Sequence, residues 1–189
     1  FRRLYPDIQL ELNSNDLIID LLEQSTDIAI RIGTLADSTL HARSLGCSPL
    51  HIVASPAYLQ QHGTPVAVAD LTQHALLGFT QNDGLNQWPL RHVHGDRWPI
   101  NAAINASSGE TVRQLALEGQ GIACLSDFMT HADIRAGRLQ EVLADFNSGY
   151  RQPINAVYYR NSQLALRIQC FLDFIQSKLA VYANSDFKG

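Results

Sequence analysis

Ser107, Ser108 and Glu110 are the residues whose types and spacing first suggest chemistry. They lie in Ile104-Asn105-Ala106-Ser107-Ser108-Gly109-Glu110, which runs on through Val112 and Gly121 into Ile122-Ala123-Cys124-Leu125. The stretch reads as strand, tight turn, short helix, glycine stop, strand. Ser107 stands three residues before Glu110, the spacing at which a serine oxygen takes a helix amide while the carboxylate reaches back to the cap. Such a helix start presents unpaired N–H groups and a partial positive charge. It suits the carboxylate of a small ligand, and it serves equally well a helix that is merely capped. Glu110 cuts against an anion, because its own carboxylate can fill the positive end and leave room only for a neutral or hydroxylated ligand. Arg31, in the otherwise apolar run Asp27-Ile28-Ala29-Ile30-Arg31-Ile32-Gly33, can add a charge-assisted hydrogen bond or pair with an acid of its own lobe.

Other constellations are weaker. His92 and His94 are two apart on an expected strand and share a face, and His51 follows Cys47 by four. A zinc site needs three or four compact ligands, and neither pair has a third, so no metal is expected. The sequence holds no Gly-x-Ser-x-Gly elbow, His-Glu-x-x-His, Cys-x-x-Cys or phosphate loop, and no catalytic residue is assigned. No cofactor is implied either.

The elements that would position these groups follow from periodicity. Asp7–Leu12 alternates as a strand, Leu17–Gln24 is an apolar helix after a turn at Asn13–Asp16, and Asp27–Gly33 is a second strand, together a parallel βαβ unit. His41–Leu45 and Leu50–Ala54 read as two strands on either side of Gly46, and Ser55-Pro56 starts a short helix that ends at His62-Gly63. Asp70–Gln73 is a helical turn, Leu76–Phe79 a strand and Thr80–Gly84 a polar loop. An antiparallel ribbon begins at Trp88, turns at Gly95-Asp96 and returns through Ile100 to Ala106. Val112, Leu115, Ala116 and Gly119 share one face of the central helix. Asp127–Arg135 is a helix stopped by Gly137, Leu139–Leu143 a strand and Pro153–Tyr159 another. Ser162 caps a long helix with Leu164, Ile168, Phe171, Leu172, Ile175 and Leu179 on one stripe, before a loose tail from Val181.

The chain has 189 residues, 46% hydrophobic and 17% charged, with a formal net charge of −4. That balance suits a globular domain or two small ones and gives no basic tract to follow a phosphate backbone. No apolar run spans a membrane, and the basic opening Phe1–Pro6 does not read as a signal peptide. Three scattered cysteines, Cys47, Cys124 and Cys170, fit buried thiols in a reducing compartment, hence the cytoplasm. The fold class expected is α/β, in two lobes, the outer parts of the chain making one and the middle the other. Lobe I takes residues 1–55 plus 153–180, lobe II takes 56–152, and 181–189 are tail. Ligands of open α/β sheets bind at strand ends, here in the cleft between the lobes.

Several of these segments resemble the effector-binding domain of LysR-type transcriptional regulators. They are Tyr5–Leu12, Asp27–Gly33, Val53–Leu59 with His62–Pro65, Gly119–Leu125, Ala136-Gly137-Arg138-Leu139 and the helix from Leu166 to Ile175. The resemblance runs from Phe1 to about Leu179 and implies a fold like the type 2 periplasmic binding proteins, two Rossmann-like lobes of mixed sheet joined by two crossover strands. It also implies a DNA-binding helix-turn-helix ahead of this segment, outside the 189 residues, and a first strand ahead of Phe1 that is missing here. Carried over by position, it lines the cleft with Asn13, Ser14, Arg31, Ile32, Gly33, Phe79, Thr80, Gln81, Ala106, Ser107 and Ser108. It implies a homodimer or tetramer in which Ile18, Leu21 and Leu22 of one subunit meet Leu117 of another; packing within one lobe is the other use of those residues. The expected function is effector sensing and dimerisation for a bacterial regulator, with a small-molecule inducer and with DNA bound only through the absent segment. A solute-binding protein of a transporter, which shares the fold, is the alternative, and a signal peptide upstream would favour it.

Overall fold

The computed structural model describes residues 1–13, 26–35, 41–80, 84–158 and 166–185. The chain forms two α/β units, Phe1–Cys47 with Gln152–Gly189, and Ser48–Arg151. It passes from one to the other within β2 (His41–Ala54) and at the start of β9 (Arg151–Tyr158), so two strands join the lobes.

In the first unit β1 (Ala29–Ile32) pairs antiparallel with β9, Arg31 opposite Asn155, and β9 lies between β1 and β2. The alternation of β9 buries Gln152, Ile154 and Ala156. Helix α4 (Leu166–Ser185) lays Ile168 and Leu172 on Leu45, Ile154 and Ala156, as its stripe predicts. It runs past Val181 rather than fraying there, since no glycine or proline interrupts 181–185. Ser162 and Leu164 lie outside the described residues. The Phe1 ring packs edge-on against Phe171 and Phe174, with centroids at 5.2 and 5.5 Å.

The expected parallel βαβ unit is not formed as read. Asp7–Leu12 enters no ladder among the described residues, and Leu10 and Leu12 stay exposed. Alternation describes side chains, whereas a strand exists only through backbone partners. Leu17–Gln24 lies outside the described residues. Ile30 and Ile32 of the apolar run are 42% and 45% exposed, and Arg31 between them is half-buried.

In the second unit the sheet order is β2, β7 (Ile122–Ser126), β3 (Leu76–Phe79) and β6 (Ile104–Ala106), with the two-residue β8 (Gln140–Glu141) on the other side of β2. β3 runs parallel to both β6 and β7, and β2 runs antiparallel to β7. Helix α1 (Pro56–His62) starts as its sequence predicts: the Tyr58 N–H donates to Ser55 Oγ at 3.3 Å, and Gly63 (φ 84°) closes it. α1 and a 3₁₀ turn at Val68–Gln73 cover one face, Leu71 of that turn joining Ile52, Trp88 and Ile122. Helices α2 (Gly109–Leu117) and α3 (Asp127–Arg135) cover the other over Val53, Leu77, Ala123 and Leu125. The ribbon shrinks to β4 (Gln87–Trp88) with β5 (Trp98–Pro99), and Ile104–Ala106 leaves it for the main sheet. Its turn falls at Val93-His94 rather than Gly95-Asp96, with His92 paired to Gly95 across it. Of Leu139–Leu143 only β8 is strand.

β2 is a single strand of 14 residues. Gly46 was expected to divide it, yet Gly46 and Pro49 both precede Leu50, the first residue paired to β7. There Pro49 lacks no donor that the β2–β7 ladder needs.

Candidate functional site

The strongest candidate lies in the second unit, where the parallel strands β3, β6 and β7 all end on one side of the sheet. Phe79 pairs with Ala106, and the Thr80 N–H donates to the Ala106 carbonyl at 3.1 Å. The chain then turns at Ser107-Ser108 into α2. Five of the predicted residues, Phe79, Thr80, Ala106, Ser107 and Ser108, therefore meet at the carboxyl end of the sheet, where open α/β folds bind ligands. Gln81 lies outside the described residues.

The helix start differs from the expected capping box. Ser108, not Ser107, is the N-cap, and no side chain caps it. A reach-back carboxylate must stand three residues after the cap. With the helix beginning at Gly109, Glu110 is one position too early. Its carboxylate turns along the helix instead, taking Arg113 Nη1 at 2.7 Å and Gln114 Nε2 at 3.0 Å. The expectation that Glu110 blocks the positive end is thereby removed. At the far end Gly119 (φ 71°) stops the helix: its N–H reaches the Ala116 carbonyl, and that of Gln120 reaches Leu115.

Two features of this end escape sequence reading. Asn86 fastens Phe79 by both backbone groups, accepting its N–H at 2.8 Å and donating to its carbonyl at 2.8 Å. Met129 of α3 lies under the turn, so close that a Cβ on Gly109 would meet its methyl carbon at 3.1 Å. Neither residue has a spacing signal; both contacts depend on which elements become neighbours.

In the first unit Arg31, Ile32 and Gly33 stand together at the end of β1, where the Gly33 N–H donates to the Pro153 carbonyl at 2.9 Å. Asn13 is exposed, and Ser14 lies outside the described residues. So do the dimer candidates Ile18, Leu21 and Leu22, whereas Leu117 is half-buried on α2. Among the described residues no three His, Cys, Asp or Glu side chains are placed to hold a metal ion. His92 Nε2 instead meets the Arg97 carbonyl at 2.8 Å, and the His94 N–H donates to His92 Nδ1 at 3.1 Å. His51 turns away from Cys47 to Glu141 and Asp127.

The LysR substrate binding domain profile matches residues 1–180. The chain belongs to that family. It is 45% identical over 179 residues to the HTH-type transcriptional regulator CrgA of Neisseria meningitidis, covering 95% of this chain and 60% of that protein. Its structure resembles the CrgA regulatory domain from the same organism, with a TM-score of 0.88 and 44% identity over 94% of this chain and 87% of that one. The full-length virulence activator AphB of Vibrio cholerae follows at a TM-score of 0.75 and 29% identity, over 94% of this chain and 60% of that one. The chain spans about three fifths of the length of the CrgA protein it matches. As a LysR-type regulatory domain with a type 2 periplasmic-binding-protein-like fold, it stands among effector-binding domains and not among enzymes. No described helix is long and apolar enough to cross a membrane.

Proposed function

We propose that this chain is the effector-sensing and dimerisation domain of a cytoplasmic DNA-binding regulator, and that it binds a small metabolite carrying a carboxylate. The match to the LysR substrate binding domain across residues 1–180 carries this reading. The Ser107-Ser108 turn supports the ligand class: it leads into a helix start with no side-chain cap, and the one acid of its first turn is engaged elsewhere. Ligand oxygens there gain amide donors and the favourable end of the helix dipole. Arg31, Ile32 and Gly33 complete the proposed contacts, with Asn13, Ser14 and Gln81 as the remaining candidates. DNA is bound through a helix-turn-helix in the full-length regulator. An effector alters such a regulator only by binding one of its arrangements more tightly than another.

The test is a melting-temperature screen of the full-length protein against small carboxylates and their matched amides. A carboxylate should raise the melting temperature where its amide does not. At a hundredfold excess over Kd the stabilisation is about 2.7 kcal/mol. Ser107→Ala combined with Arg31→Ala should abolish that rise. An undiminished rise in the double variant defeats this placement of the site.

A further inference from the structure

His51 has both ring nitrogens taken by carboxylates. Nδ1 lies 2.8 Å from Glu141 Oε1 of β8, and Nε2 lies 3.0 Å from Asp127 Oδ1, the first residue of α3. An ionised carboxylate only accepts hydrogen bonds, and a neutral imidazole carries a single N–H. One of the two contacts would then set lone pair against lone pair. Both bonds form together only on the imidazolium.

We propose that His51 is a proton-operated clip, fastening α3 and β8 to β2 while charged and releasing one of them on losing its proton. The hydrogen bond to Glu141 is the largest influence holding the imidazole above its ordinary range, joined by the charges of Glu141 and Asp127 against the opposing effect of burial. The other ionisable groups on the surrounding elements do not take its place. Across the ladder stands Leu125, whose neighbour Cys124 is kept a neutral thiol by burial. On α3, Asp133 is held by Arg113 and Arg138, with His131 and Arg135 the remaining ionisable residues of that helix. On β2 the other ionisable residues are His41, Arg43 and Cys47, with Arg43 engaged by Asp173 and Gln176. β8 adds only the neutral Gln140.

The sign of the effect follows from linkage. The folded value lies above the unfolded one near ~6.5, so the clip is complete below that pH and its stabilisation is lost as pH rises through the folded value. Where the Asp127 bond is the one lost, the start of α3 is freed, two residues from the Met129 that lies against Gly109. Any bearing on the effector turn rests on the function proposed above, but the clip itself does not.

The test therefore uses the full-length protein with no effector, comparing wild type with Asp127→Asn. Asparagine can donate from Nδ2 to a neutral His51 Nε2, while His51 Nδ1–H still donates to Glu141. The bond survives, but its need for a proton does not. The wild-type melting temperature should fall from pH 6 to pH 9 by more than that of Asp127→Asn, and the variant should match or exceed wild type at pH 9. The His51 ring proton resonance should titrate above ~6.5 in wild type and lower in the variant. Equal slopes in the two proteins, or a wild-type midpoint at or below ~6.5, overturn the proposal. His51→Gln should also flatten the slope; if it fails to fold, Asp127→Asn still decides.

Discussion

Gly121 is the point at which β7 is admitted beside β3. The next residue, Ile122, donates its N–H to the Ala75 carbonyl at 2.9 Å, and a Cβ on Gly121 would stand 2.4 Å from that same oxygen. Backbone cannot move aside as a flexible side chain can, so any larger residue must displace the first rung of the parallel ladder. Gly121→Ala should cost about 3 kcal/mol, the upper end of ordinary overpacking. Chemical denaturation should show it as a lower midpoint at unchanged slope. Single residues were legible where a local rule is complete in itself. Ser55 before Pro56, and Gly119 after an apolar helix face, need only their sequence neighbours. Ser107 and Glu110 were misread because a capping box depends on where the helix begins, and a shift of one residue sends the carboxylate to Arg113.

Helices α2 and α3 are joined by an ion network that no periodicity announces. The Asp133 side chain is fully buried; it accepts from Arg113 Nε of α2 at 2.6 Å and from Arg138 Nε, beyond the end of its own helix, at 2.8 Å. Burial pushes the carboxyl upward, but the bonds and charges of the two guanidinium groups outweigh it and hold the group below its ordinary value. Arg113 then passes the connection to Glu110 in the first turn of α2. Asp133→Asn keeps the shape and removes the charge, leaving Arg113 short of its buried partner. The expected loss is about 3 kcal/mol, the lower end for breaking a buried pair. With a depressed folded value, the stabilisation is present above the unfolded pKa near ~3.9 and lost as pH falls through the folded one. Wild type should therefore lose stability in acid more steeply than Asp133→Asn in melting curves below about pH 4. Elements with a strong local signal, such as the continuous apolar run of β7 and the apolar stripe of α4, were legible from sequence. β2 was not, because Gly46 read as a break when the β2–β7 ladder begins only after it.

The two lobes were legible in the order of the elements, but the strands that join them only through resemblance, since composition and period fix the elements and leave their pairing open. The pattern of residues 7–33 suggested a parallel unit, whereas β1 pairs antiparallel with β9, a partner more than a hundred residues further along the chain. The dimer expected from the resemblance would depend on the same kind of distant contact, and Leu117 is where it can be tested. It is half-buried at the last turn of α2, packed in part on the cluster of Val53, Leu77 and Leu125. A residue of that exposure serves either its own lobe or a partner, and the two uses respond differently to Leu117→Gln. Loss of an intersubunit contact should weaken association of the full-length regulator by about tenfold, roughly 1.4 kcal/mol. Light scattering over a dilution series would then show dissociation at a higher protein concentration than in wild type. The melting temperature, taken where both proteins are fully assembled, should stay close to the wild-type value. Loss of an internal contact gives the reverse, an unchanged mass with a lower melting temperature at every concentration, and would remove Leu117 from the dimer surface.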